Sequence, residues 1–268
     1  MRNCILLTLL FYHLTNQIYG SEMKPVNFIN VKDFYQFTGQ LKIQKKNNII
    51  SKCTITFLSS NVGISAKHCF EDTEIESLPN IKSYIIRGQI SPGKFEDVSV
   101  ITGYQFVNAK KDMALVSFYP PLETDGIEFP KLIIKDQKSL NRKKVKLGGY
   151  PGTKNDVLYS GEGYVYNFRG DHSSIFRHDI NTEKGVSGAA VREYENDFNI
   201  VGIHTHGNAW GKHGVLFSKK DMEFIDNYIA NENVAPLKNL DYLKILPNYI
   251  KGQESIDSNS ENYQFRGK

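Results

Sequence analysis

Short apolar runs bounded by turn-forming residues recur along the chain from residue 53 onward. Cys53–Leu58, Ser83–Ile86, Ala114–Phe118, Val145–Leu147, Gly163–Tyr166 and Ile200–Ile203 have the length and composition of strands. Helical spacing is absent until the C-terminal part. There Met222, Ile225, Tyr228 and Ile229 share one face, behind Ser218-Lys219-Lys220-Asp221, which reads as a capping box. The pattern predicts an all-β chain closed by a C-terminal α-helix. A stretch rich in Pro, Asp and Glu, Pro120 to Lys138, reads as a link between two halves. Beyond about Asn248 the chain is polar and is expected to be a mobile tail. The expected organisation is a signal segment over 1–20, a first β unit over 21–125, a second β unit with the helix over 126–235, and a tail over 236–268.

The N-terminus changes the setting in which this fold is read. Arg2, the apolar run Ile5 to Phe11 and the small residue Gly20 have the order of a secretory signal. The run is too short to span a bilayer, which needs about 20 residues. The expectation is a secreted, extracellular chain with no membrane contact after cleavage. Removal of the signal takes Cys4 with it and leaves Cys53 and Cys69, an even pair in an oxidising compartment, expected to be bridged. The formal net charge of +4 is too mild and dispersed to argue for nucleic acid. The Lys45-Lys46 and Arg142-Lys143-Lys144 clusters read as solvated loops. A monomer is expected.

Three short segments carry the candidate chemistry: Ser65-Ala66-Lys67-His68-Cys69, Lys111-Asp112-Met113-Ala114 and Gly185-Val186-Ser187-Gly188. A serine hydroxyl is a poor nucleophile unless a base lies within hydrogen-bond reach and donors await the oxyanion. His68 is the candidate base, Asp112 the group that fixes its tautomer, and Ser187 the nucleophile. Gly185 and Gly188 give the backbone the freedom to aim the N–H groups of Gly185 and Ser187 at one spot, an oxyanion hole. The order His, Asp, Ser separates this arrangement from subtilisins and α/β-hydrolases. His204-x-His206, with His213 nearby, suggests a metal, but no third ligand stands at a familiar spacing, so neither metal nor cofactor is expected. His172 and His178 read as loop and strand histidines.

These segments resemble the trypsin/chymotrypsin superfamily of secreted serine endopeptidases. From Gly148 to Ile229 the chain is most similar to the bacterial glutamyl endopeptidase branch, which includes the exfoliative toxins. The likeness rests on Gly149-Tyr150-Pro151-Gly152, on Asp179 to Gly188, on Val201-Gly202-Ile203-His204, on Gly214-Val215-Leu216-Phe217 and on the closing helix. It implies a chymotrypsin-like double six-stranded β-barrel with a C-terminal α-helix, acting on protein or peptide substrates through an acyl-enzyme. It also implies a pocket in which Thr182 and His204 receive a glutamate, with aspartate less favoured. Enzymes of the superfamily that cut after Lys or Arg carry an Asp where this chain has Asn181. Activation by the ion pair used in pancreatic enzymes is excluded, because Val186 stands where they have an Asp.

The chain departs from the branch at three places. Thr205-His206-Gly207 replaces Trp-Gly-Gly, Lys184 replaces a small residue, and Ala189-Ala190 replaces a Ser-Pro type pair. Two readings besides a general endopeptidase stay open: a catalytically inactive homologue that acts by binding protein, and a toxin-like protease restricted to one target.

Overall fold

In a computed structural model of the chain, the structure describes residues 21–26, 37–45, 49–71, 84–91, 94–122, 128–154, 156–167, 174–208 and 211–234. The expected signal segment and polar tail, and His172, lie outside these residues. The chain divides into two compact units, Met1–Glu232 and Asn233–Lys268. Both barrels and the candidate site lie in the first.

The first barrel is a closed ring of β2 (Thr38–Gln44), β3 (Ile50–Phe57), β4 (Val62–Ser65), β7 (Ala114–Tyr119), β6 (Lys94–Phe106) and β5 (Tyr84–Ser91). The second contains β9 (Lys144–Gly149), β10 (Tyr159–Asn167), β11 (Ile175–His178), β12 (Ala190–Glu193), β13 (Asn199–Asn208) and β14 (Gly211–Leu216). Its pairings run β9–β10–β11–β14–β13–β12 and return to β9. Two short strands flank it: β1 (Lys24–Pro25) on β10 and β8 (Lys131–Leu132) on β13. A short helix α1 (Gln137–Leu140) precedes β9, and α2 (Lys219–Val234) closes the described chain. Among the described residues no helix is long and apolar enough to cross a membrane.

Each barrel has its own core. Leu41, Ile43, Cys53, Ile55, Phe57 and Phe118 fill the first, and Leu147, Val165, Phe176, Val191 and Val201 the second. A third cluster joins them. Val62, Ile64 and Leu115 from the first barrel meet Ile200, Ile203 and Val215 from the second, and Ile225 of α2 packs against the same group. Ser218 and Asp221 form the expected capping box, with the Ser218 N–H donating to Asp221 Oδ2 at 2.7 Å and the Asp221 N–H reaching Ser218 Oγ at 3.4 Å.

β3 shows how the barrels are locked. Its odd-numbered residues Cys53, Ile55 and Phe57 enter the first core, as a period of two requires. Its intervening threonines face the second barrel. Thr54 Oγ1 donates to the Gly185 carbonyl at 2.9 Å and accepts from the Tyr150 N–H at 3.0 Å. Thr56 Oγ1 accepts from the Ala190 N–H at 3.1 Å.

A charged clamp adds to this lock. Asp156, in the β9–β10 connection, reaches Lys42 Nζ at 3.0 Å, Lys52 Nζ at 2.6 Å and Gln40 Nε2 at 2.8 Å. Burial pushes its carboxyl up, but the charge of Lys42 and the hydrogen bonds from Lys52, Gln40 and Lys42 outweigh burial and hold the pKa at about 2. A carboxyl lowered from its unfolded value of about 4 stabilises the fold above that value, and the contribution is lost as pH falls through the folded pKa. Asp156→Asn is therefore expected to reduce unfolding free energy by about 2 kcal/mol near neutral pH. The gap between wild type and variant is expected to close between about pH 4 and 2. Urea unfolding of both proteins at the two ends of this range measures it; a gap that persists in acid refutes the assignment.

Candidate active site

Strand register brings His68 and Asp112 together. β4 and β7 run antiparallel with Ser65 opposite Ala114, so the segment leaving β4 and the segment entering β7 emerge side by side. The first makes a 3-10 turn, Lys67–Cys69, that presents His68. His68 Nδ1 lies 2.7 Å from Asp112 Oδ2, and the His68 backbone N–H donates to Asp112 Oδ1 at 2.9 Å. Burial pushes the Asp112 carboxyl up, but the hydrogen bond and charge of His68 outweigh it and hold the group below the ordinary aspartate value.

Both segments are tied down from behind. Cys53 and Cys69 are joined by a disulfide, which fixes the His68 turn to β3. Lys45 caps the carbonyl side of the same turn, with Nζ 2.8 Å from the Cys69 carbonyl and also bonded to that of Glu71. The expectation that this lysine is merely solvated is corrected: it braces the turn that carries His68. The Asp112 segment is held by α2. Lys111 Nζ pairs with Asp221 and donates to the Leu216 carbonyl at 2.8 Å, while Asn108 Nδ2 donates to Asp221 Oδ1 at 2.8 Å.

Ser187 arrives from the second barrel. Its carbonyl accepts from the Thr54 N–H at 2.8 Å, so β3 of the first barrel grips the serine loop directly. The next N–H, that of Gly188, donates to the His204 carbonyl at 2.8 Å. Gly188 has φ of +92°, and a Cβ there would stand 2.1 Å from the Thr54 carbonyl oxygen, so only glycine fits against β3. Gly185 has φ of +97°, and the carbonyl of Lys184 before it accepts from the Gly152 N–H at 2.7 Å. Among the described residues the N–H groups of Gly185 and Ser187 donate to no protein acceptor. The Ser187 hydroxyl donates to the Thr205 carbonyl at 2.8 Å, and no hydrogen bond joins it to His68. Val186 is fully buried in the second core.

Thr182 and His204 are both buried. No hydrogen bond joins them directly. Lys212 Nζ donates to the Thr182 carbonyl at 2.7 Å, and Lys212 is the cross-strand partner of Gly207 on β13 and of His178 on β11. His178 Nε2 lies 2.9 Å from His204 Nδ1. Burial first, and then neighbouring imidazoles and the Lys212 charge, push His178 down to about 3 and hold His204 well below the ordinary histidine value. Burial thus favours the uncharged form of both rings. His178, which reads in the sequence as an ordinary strand residue, is part of this group. Lys212 and the Thr205 carbonyl are also site members that the sequence does not announce. The sulfur atoms and ring nitrogen of Cys53, His68 and Cys69 lie within 4.8 Å of one another, but the disulfide leaves no thiolate to ligate a metal.

Two six-stranded barrels with the candidate residues at their junction define the chymotrypsin-like fold. Comparison with solved structures gives the same architecture. A Glu endopeptidase in complex with MPD is 21% identical, with a TM-score of 0.61 over 80% of this chain and 99% of its own. An inactivated protease paralogue of the scabies mite is 16% identical, with a TM-score of 0.60 over 79% and 100%. HL collagenase is 15% identical, with a TM-score of 0.59 over 73% and 94%. No protein-family model and no curated protein sequence matches the chain.

Proposed function

We propose that the protein is a secreted serine endopeptidase that uses Ser187, His68 and Asp112 and prefers glutamate, then aspartate, before the scissile bond. The observation that carries this reading is the 2.7 Å contact of His68 Nδ1 with Asp112 at the barrel junction that also carries Ser187. With its Nδ1 proton donated to Asp112, the imidazole keeps a lone pair on Nε2. Ser187 turns from Thr205 toward that nitrogen. His68 takes the hydroxyl proton as Oγ attacks the substrate carbonyl carbon, and the carbonyl π electrons move onto oxygen. The resulting oxyanion meets the unengaged N–H groups of Gly185 and Ser187. The imidazolium, stabilised by Asp112, gives its proton to the leaving amine as the C–N bond breaks. Water then repeats the sequence on the acyl-enzyme, returning the proton to Ser187. No metal or cofactor enters this scheme.

The acidic preference is supported by Thr182 and His204. A carboxylate is acceptor-only, and a hydroxyl and a neutral imidazole N–H can both donate to it. Secretion is supported by the Cys53–Cys69 disulfide and the signal-like N-terminus.

One observation favours a second reading, a binding protein without catalysis: the Ser187 hydroxyl is engaged by Thr205, not by His68. Digestion of a mixed peptide library, with Ser187→Ala alongside and every cut read by mass spectrometry, separates the two. Cuts after Glu that vanish in the variant are expected. Cuts mainly after non-acidic residues would remove the specificity, and intact peptides in both samples would favour the binding reading.

A further inference from the structure

Lys212 stands where its charge has no acidic neighbour. Its ammonium is half-buried and bonded to one carbonyl, that of Thr182, and among the described residues no carboxylate pairs with it. Its cross-strand partners are His178 on β11 and Gly207 on β13, the buried His204 feels its charge, and Arg177, His206 and His213 stand at neighbouring positions. Glu183, next to Thr182, is turned to Thr153 and Lys154 instead. A half-buried cation with two donors still unspent, with no carboxylate beside it among the described residues, is a site for an anion.

Its position is built in. The Lys212 stem crosses over Gly207, where any Cβ would meet Lys212 Cδ at 2.5 Å. The departure Thr205-His206-Gly207 keeps a glycine beneath the lysine stem, and a side chain there would push the stem aside. From there the ammonium bridges the segment Thr182–Gly185 to the β13–β14 pair. These are the two pieces of chain that also carry the serine-loop donors, through Gly185, and the Ser187 acceptor, through Thr205.

We infer that Lys212 is the specificity-determining cation of the site, supplying the counter-charge for the acidic side chain before the scissile bond, with Thr182 and His204 as further hydrogen-bond donors. This rests on the reading of the chain as an endopeptidase that cuts after acidic residues. The ammonium is placed for this by its bond to the Thr182 carbonyl, whereas the two buried rings are spent on each other, His178 Nε2 lying 2.9 Å from His204 Nδ1.

The test compares kcat/KM on two peptides that differ only in Glu or Gln before the scissile bond, for wild type, Lys212→Met and Lys212→Arg. A hydrogen bond to a charged group corresponds to a factor of about 10 to 150. Lys212→Met is expected to reduce the Glu-over-Gln ratio by that factor, and Lys212→Arg to restore most of it. A ratio preserved in Lys212→Met, with both rates falling together, would show a structural role and overturn the inference. A second measurement needs no variant. With no imidazolium supplying the counter-charge, the wild-type ratio is expected to hold steady from about pH 6 to pH 9. A ratio that collapses about tenfold per pH unit through the imidazole range would assign the charge to a histidine and overturn the inference. A wild type that prefers Glu while Lys212→Met does the same sinks only this inference. A wild type that ignores Glu sinks the proposed specificity as well.

Discussion

Ser187→Ala is expected to lower kcat on any peptide that the wild type cleaves by about 10⁶-fold. That is the size expected when the nucleophile of a covalent route is lost. The change removes one hydroxyl whose partner is the Thr205 carbonyl, a group that keeps its place in β13. The fold is therefore expected to survive, with a thermal midpoint within a few degrees of wild type. The Thr54–Ser187 and Gly188–His204 backbone bonds do not depend on the side chain and remain. Steady-state kinetics and a melting curve check both halves. A loss of less than about tenfold in a folded variant would remove Ser187 from the chemistry.

Asp112→Asn is the second large effect, an expected fall of about 10⁴-fold in kcat/KM at neutral pH. Asp112 accepts from His68 twice, through the ring and through the backbone N–H. An amide has one oxygen for two donors. If the oxygen keeps the backbone N–H, the amide NH₂ faces Nδ1 and forces the proton onto Nε2, which then cannot take the Ser187 proton. The loss should appear in kcat and kcat/KM together, the mark of an interaction made in the transition state. A variant that loses only substrate affinity would contradict the role.

These two effects concern residues that the sequence picks out from local context, and for a physical reason. His68, Asp112 and Ser187 each sit where a strand meets a tight turn, so small and apolar neighbours mark them. The capping box at Ser218 is local too. β2 is harder to read. Thr38, Gln40, Lys42 and Gln44 alternate with Gly39, Leu41 and Ile43, and that pattern suggests a strand with one face in water. Both faces are buried, because the polar face meets Asp156 and the second barrel. β12, only four residues long and directly after the serine loop, offers too little periodicity to be read.

The group around Lys212 shows the limit most clearly. Thr182 and His204 come from a motif, but His178 and Lys212 come from register. His178 is a single histidine on a short strand, and its partner His204 is 26 residues away. Lys212 borders a turn and looks solvated until β13 and β14 pair and Gly207 opens room for its stem. Lys45 is similar: its three carbonyl acceptors belong to a turn more than twenty residues later. Charges placed by tertiary pairing leave no periodic trace in the chain.

Activation of Ser187 by His68 can be read out by covalent labelling. A phosphonyl fluoride transfers its phosphonyl group to an activated serine oxygen with loss of fluoride, whatever the peptide specificity. The folded chain would be treated with the reagent and the adduct mapped by mass spectrometry, with His68→Ala as the comparison. The account predicts one adduct per chain, on Ser187, formed at least about 10³-fold more slowly in the variant. A folded wild-type chain that leaves Ser187 unmodified, or labels it no faster than the variant, would contradict it.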